Sequence, residues 1–270
     1  HYSFGQYAVF PGGRLADHMQ PFTEGAFKLN GKTGMATAVM PYYTIFTDVD
    51  KKNGENVGNA FSDYLINDVL RGEYGFEGVV CTDWGVTKDN RAVNSFGTTS
   101  WGVEHLTVAE RHYKLIKAGV DMFGGNNDKG PVLVAYQMGV DEMGEEWMRA
   151  RMEKTAVRLL LNVFRLGLFE NPYFDETAHE SVIRCEKHLD INLRAARAGM
   201  VLLTNNGILP LKEDYTRIAV IGPSSASQKI GGYSSKPYGY TIRSVYDELK
   251  ARYPHAEIRQ CDGCAITHND

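Results

Sequence analysis

Glu73-Tyr74-Gly75-Phe76-Glu77-Gly78-Val79-Val80-Cys81-Thr82-Asp83-Trp84-Gly85 places a short β-branched run between glycine-rich punctuation. Glycines at 75 and 78 end what precedes, and Gly78 to Trp84 then reads as a buried strand. Asp83 falls at the carboxyl end of that strand. In parallel β/α proteins this is where chemistry-bearing side chains open onto the mouth of the sheet, and a carboxylate there can serve as nucleophile, general base or cation ligand. The bland alternative is that Asp83 caps the next helix, as aspartates often do.

Working outward, Met35 to Tyr43 reads as a second buried strand, with its core at Ala36–Met40 and its end at Pro41 and the tyrosines. Asn59 to Arg71 spaces Phe61, Leu65, Ile66, Val69 and Leu70 as a helix does. Glu104 to Ala118 reads as helix, and Gly119 to Phe123 as a third strand centred on Val120–Met122. Glu145 to Leu166 is a long helix with Met148, Met152, Ala156, Leu159, Leu160, Val163 and Phe164 on one face; Gly167 suits its C-cap and Pro172 blocks continuation. Strand starts at intervals of roughly 40 residues, each followed by a helix, have the rhythm of a parallel β/α barrel or an open α/β sheet. Only three units fit before Leu166, whereas a closed barrel needs eight strands. Either five units precede His1, or the sheet is small and open.

Gly167 to His188 lacks clear periodicity and reads as a linker. Beyond it, Leu189–Met200 and Thr241–Tyr253 are helical, while Arg217–Gly222 and Glu257–Cys261 are strands. The expected organisation is an α/β chain: residues 1–166 as one body, 167–188 as linker, and 189–270 as the start of a second α/β body. Because the chain opens on His1 rather than Met, the expectation is a piece of a longer protein.

Composition narrows the function classes. With 43% hydrophobic and 23% charged residues, long disorder is disfavoured. A formal net charge of -4 disfavours nucleic-acid binding on a basic face, and no apolar run approaches the roughly 18 residues of a membrane span. The histidines show no metal-binding spacing, so neither metal nor cofactor is expected. Cys261-Asp262-Gly263-Cys264 has C-x-x-C spacing, but no second ligand pair accompanies it and Asp-Gly reads as a turn at a strand end. Gly124-Gly125-Asn126-Asn127 lacks the Gly-Lys-Ser/Thr ending of a phosphate-binding loop. Trp84 beside Asp83 is a pairing suited to a sugar site, where an indole face floors the ring.

Residues 73–85 closely resemble the signature of glycoside hydrolase family 3, in which Gly-Phe, a further glycine and a β-branched strand lead into Ser-Asp-Trp. Thr82 stands at the serine position and keeps the hydroxyl. Four more segments resemble the family in the same order: Ala118–Asp121, Phe164–Tyr173, Val201–Asn205 with Leu209–Leu211, and Ile218–Pro223. The resemblance implies the C-terminal part of a (β/α)8 TIM-type barrel followed by the start of an α/β sandwich domain. It implies a retaining β-glycosidase acting on β-glucosides or related oligosaccharides, with Asp83 as nucleophile. Tyr43 matches a tyrosine that contacts sugar and nucleophile, and Met40 and Trp84 match positions lining the first sugar subsite.

A retaining mechanism needs a second carboxyl group about 5–5.5 Å from the first. In most two-domain members of the family it is a glutamate late in the second domain, and it is expected outside these residues. Glu104 is a weaker subsite candidate, more simply read as a solvated first-turn glutamate. His1 could end the Asp-x-His dyad of the β-N-acetylhexosaminidase subgroup. A non-catalytic carbohydrate-binding barrel and a thiol oxidoreductase resting on Cys261 and Cys264 are the readings from other classes. The expected partner is a carbohydrate, with oligomer formation or complementing chain segments as a further expectation. The expected location is secreted or periplasmic rather than cytoplasmic. The 270 residues alone are expected to hydrolyse glycosides poorly.

Overall fold

The computed structural model describes residues 5–89, 99–228, 230 and 242–266. The chain divides into two compact units, the first ending at Glu176 and the second beginning at Thr177. His1 lies outside the described residues.

The first unit opens with β1 (Tyr7–Ala8), α1 (Leu15–Gln20), β2 (Ala38–Val39) and β3 (Ile45–Phe46). β1 pairs in parallel with β3. A 3-10 turn at Asn59–Phe61 and a wide π-type helix at Tyr64–Glu73 occupy the stretch expected to be one continuous helix. Ser62 explains the division. Its backbone is extended, at φ -84 and ψ 107, and its Oγ accepts the Leu65 N–H at 3.2 Å, so one turn closes and another opens there.

β4 (Val79–Val80) pairs in parallel with β2, Ala38 opposite Val79 and Val39 opposite Val80. Both valines of β4 are buried, whereas Ala38 and Met40 are exposed. The expectation of a fully buried strand therefore holds for 79–80 and fails around 38–40, because β2 has β4 as its only neighbour among the described residues. The third expected strand is reduced to a parallel bridge between Cys81 and Met122. Asp121 shortens it: the amides of Asp121 and Met122 both donate to the Val80 carbonyl, and the Asp121 carboxylate takes the Val80 N–H at 3.0 Å. A side chain thus replaces the next rung of the ladder.

Three helices complete the unit: α2 (Val108–Ala118), α3 (Gly130–Met143) and α4 (Glu145–Arg165). α2 starts at Thr107, whose hydroxyl and Glu110 form a reciprocal capping box, and ends at Gly119 in the left-handed region at φ 93. A Cβ at 119 would lie 2.5 Å from the Asn67 side chain, so glycine is required on two counts. The main core gathers Tyr43, Ile45, Phe61, Phe76, Val80 and Leu115, and a smaller one joins Tyr113, Ile116, Ala135 and Met148. The apolar face of α4 is buried at Met148 but exposed at Leu160 and Phe164.

In the second unit α5 (Ala178–Val182) and α6 (Glu186–Ala198) precede β5 (Arg217–Ile221), α7 (Val245–Arg252) and β6 (Glu257–Cys261). α5 lies within the stretch read as linker. β5 and β6 pair in parallel over five residues, from Arg217 opposite Glu257 to Ile221 opposite Cys261, with α7 between them in sequence. Gly263, at φ 69, makes the turn between Cys261 and Cys264, and both thiols are free and exposed. No helix among the described residues is long and apolar enough to cross a membrane.

Candidate active site

β2 and β4 run side by side in the same direction, so the residues that follow them emerge at one end of the sheet. This brings Met40–Tyr43 and Asp83–Trp84 together. The Asp83 N–H donates to the Pro41 carbonyl at 3.3 Å, continuing the alignment one step past the strands. Tyr43 Oη donates to the Trp84 carbonyl at 2.6 Å. Asp83 Oδ1 accepts the Trp84 N–H at 2.7 Å, a local bond that fixes the carboxylate against its own backbone.

The four candidate residues differ in access. Asp83 is 6% exposed and Tyr43 2%, while Met40 and Trp84 are 56% and 65% exposed. A nearly buried carboxylate is thus followed directly by an exposed tryptophan, and the exposed Met40 stands at the end of the neighbouring strand. Tyr43 packs its ring edge-on to Trp101 at 6.1 Å between centroids, and its hydroxyl holds the peptide just beyond Asp83. Glu104 stands apart from this group in its hydrogen bonding. Its side chain is exposed ahead of α2, and its carbonyl accepts Arg111 Nη2 at 2.9 Å.

Thr82 and the glycine pair complete the arrangement. The Thr82 N–H donates to the Met122 carbonyl at 2.9 Å, and its Oγ1 accepts the Gly124 N–H at 2.9 Å. The Gly85 N–H returns to the Gly124 carbonyl at 2.8 Å. A Cβ on Gly124 would stand 2.3 Å from the Thr82 carbonyl oxygen, and one on Gly125 would stand 2.6 Å from the Trp84 indole. Gly124 and Gly125 are therefore close-approach positions that let the 122–125 backbone pass against 82–85. Their signal in the sequence was the adjacent glycine pair directly after a strand, set aside there as a poor phosphate loop. Cys81, half-buried just before the site, has its thiol pKa raised by burial and then by the Asp83 charge, which keeps it in the neutral form. No group of three or more His, Cys, Asp or Glu side chains among the described residues could hold a metal ion.

Parallel β/α pairing makes this an α/β protein, and the candidate residues, a shielded carboxylate and an exposed tryptophan among them, gather at the carboxyl ends of its strands. The sequence profile of the glycosyl hydrolase family 3 N-terminal domain matches residues 15–161, and that of the family's C-terminal domain matches 200–267. The chain belongs to glycosyl hydrolase family 3. It is 36% identical over 245 residues to a periplasmic β-glucosidase/β-xylosidase of Dickeya chrysanthemi, covering 86% of this chain and 35% of that protein. It is 33% identical over 238 residues to β-glucosidase C of Emericella nidulans, covering 87% of this chain and 36% of that one. Among solved structures, a β-glucosidase from Erythrobacter marinus superposes with a TM-score of 0.68 at 29% identity, over 93% of this chain and 30% of that chain. The chain thus spans about a third of the length of the relatives it matches.

Proposed function

We propose that the protein is a retaining β-glycosidase of β-glucosides or related oligosaccharides, with Asp83 forming a covalent glycosyl intermediate. The observation that carries this is the placement of Asp83: shielded, at the carboxyl end of β4, tied to its own backbone and flanked by the exposed Trp84. Family membership and the β-glucosidase and β-xylosidase relatives support the substrate class. In this reading the first unit is part of a (β/α)8 barrel, and the second begins an α/β sandwich domain.

The chemistry follows from the groups present. A retaining reaction displaces the leaving group with a carboxylate and then hydrolyses the ester, inverting the anomeric carbon twice. Asp83 attacks, the Trp84 N–H holds one of its oxygens in place, and the indole face of Trp84 packs on the C–H face of the ring. Met40 lines the same subsite, while Tyr43 acts mainly by anchoring the Trp84 peptide. The acid/base carboxyl is assigned to a second-domain glutamate outside these 270 residues. The periplasmic relatives of Dickeya and Salmonella support an exported location.

The test is a 2-deoxy-2-fluoro β-glucoside given to the full-length protein, followed by peptide mass spectrometry. The label is expected on Asp83, and a label elsewhere overturns the assignment. Asp83→Asn should lower kcat by on the order of 10⁴–10⁶-fold with substrate binding retained. Hydrolysis surviving that change would point to another nucleophile. Absence of hydrolysis in the parent, with sugar binding indifferent to Asp83→Asn, would favour a carbohydrate-binding barrel.

A further inference from the structure

The five residues after Trp84 form no regular element, yet the carbonyls of the first four and the carboxylate of the fifth are each tied down. Thr99 Oγ1 donates to the Gly85 carbonyl at 3.2 Å, and Ser100 Oγ contacts the Val86 and Lys88 carbonyls at 2.7 and 3.2 Å. Arg111 Nη1 donates to the Thr87 carbonyl at 3.1 Å and to the Asp89 carboxylate. The other guanidinium donors hold the Val103 carbonyl through Nε at 3.1 Å and the Glu104 carbonyl through Nη2 at 2.9 Å. Arg111 is 2% exposed, which is an expensive place for a cation unless its planar fork is well used, and here all three of its nitrogens donate.

The next residue of α2 completes the grip. His112 is fully buried, its Nδ1 bonded to the Val108 carbonyl at 2.8 Å and its Nε2 to Thr87 Oγ1 at 3.3 Å. With Nδ1–H donating to a carbonyl, Nε2 accepts from the Thr87 hydroxyl. The ring also packs edge-on to Phe123 at 4.8 Å between centroids, next to the Gly124 that supports Thr82 and Gly85. Two consecutive residues of a capped helix therefore hold the loop leaving Trp84, and the second of them also packs on Phe123, the residue before Gly124.

We propose that Arg111 and His112 are positioning residues that set the Asp83–Trp84 turn for attack. This rests on the assignment of Asp83 as nucleophile. Neither residue touches the sugar in this scheme. They act through the 85–89 loop, whose displacement moves the indole and, through the Asp83–Trp84 bond, the carboxylate. A misplacement of about 1 Å at reacting groups can cost about 10²-fold in rate.

The experiment measures the rate of 2-fluoro-glycoside trapping, kcat, KM and the melting temperature in the full-length enzyme. The variants are Arg111→Lys, Thr87→Val and, as a comparison, Arg151→Lys, which loosens the buried cluster at Asp121 away from this loop. Arg111→Lys keeps the charge but loses the fork, and should slow trapping about 10–100-fold with a raised KM. Thr87→Val, which removes only the hydroxyl partner of His112, should slow trapping about threefold or more. Arg151→Lys should lower the melting temperature while trapping and KM stay at the parent's values. If Arg111→Lys folds and traps within twofold of the parent, the proposal is overturned; if it does not fold, an unchanged rate in Thr87→Val overturns it. A parent labelled somewhere other than Asp83 removes the nucleophile assignment and this proposal with it, an outcome distinct from a labelled Asp83 with indifferent variants.

Discussion

At the scale of single residues, the site depends on what a hydroxyl and two missing methyl groups permit. Thr82 serves the Gly124 amide with its Oγ1 at 2.9 Å, and this accounts for a hydroxyl-bearing residue immediately before Asp83. Thr82→Val preserves the shape but leaves that buried donor unpaired, which should cost about 1–3 kcal/mol in urea unfolding. Thr82→Ser keeps the bond and loses one methyl group, so about 1 kcal/mol or less is expected. Equal losses in the two variants would show that methyl packing, not the hydrogen bond, matters there. Asp83, Trp84, Tyr43 and Met40 were legible as candidates from strand ends and motif words. The division of labour among them was not, because exposure is a property of neighbours. Tyr43 at 2% and Trp84 at 65% both follow a strand end in sequence and have opposite environments in space.

Elements are where local signals and tertiary demands part company. α2 agrees with its sequence: Thr107 and Glu110 form a capping box, and Gly119 stops the helix. α3 went unread, since Gly130–Met143 carries two glycines, a proline and only a weak division into apolar and polar faces. Its helical state is supported by packing of Ala135 against Tyr113, Ile116 and Met148. The Asn59–Arg71 periodicity marked helical residues correctly and missed the break at Ser62, which is a hydrogen-bonding event rather than a pattern. α2 also carries a pH prediction. Burial lowers the pKa of His112, with the Val108 carbonyl and the Asp128 charge opposing the shift only in part. The unfolded chain, with an ordinary histidine pKa of about 6.5, therefore takes up a proton that the folded chain resists. Stability is fully present above that pH and declines as pH falls below it. Urea unfolding from pH 7.5 to 5 should show this fall, and His112→Gln should make it shallower. An unchanged slope would mean that His112 protonates as readily in the folded state.

Over the whole of the first unit, the connection among distant segments runs through one carboxylate. The Asp121 side chain is fully buried and pairs with Arg71 at 2.8 Å, Arg151 at 3.2 Å and Arg158 at 3.3 Å. Arg71 arrives from the π-type helix, Arg151 and Arg158 from α4, and the Val80 amide from β4. Arg71 also holds the Phe76, Gly78 and Gly119 carbonyls, so the approach to β4 and the end of α2 are locked to the same point. Asp121→Asn would leave three guanidinium groups around a neutral amide and should destabilise the unit by about 3–5 kcal/mol. Equilibrium unfolding checks this, and a loss below about 1 kcal/mol would show that the arginines find other partners. Gly119-Val120-Asp121 was noticed as strand and as family wording, but nothing local marks Asp121 as the meeting point of three arginines up to 50 residues away.

The sequence by itself determined the β/α rhythm, the strand carrying Val79 and Val80, and the placement of Asp83 at a strand end; the start of α2 after Thr107, four residues into the stretch read as helix, came from the structure. The sequence-determined features follow from periodicity and from β-branched runs bounded by glycine, signals that act over a few residues. Only the tertiary structure decided that β2 and β4 are parallel neighbours, so that Met40–Tyr43 and Asp83–Trp84 share one end of the sheet. It alone decided that Gly124 and Gly125 clear the path beneath Trp84, and that Arg111 and His112 grip the loop beyond it. Those contacts join positions 22 to 42 residues apart. Their energies depend on which side chains exclude water from one another, a quantity set by packing rather than by spacing along the chain.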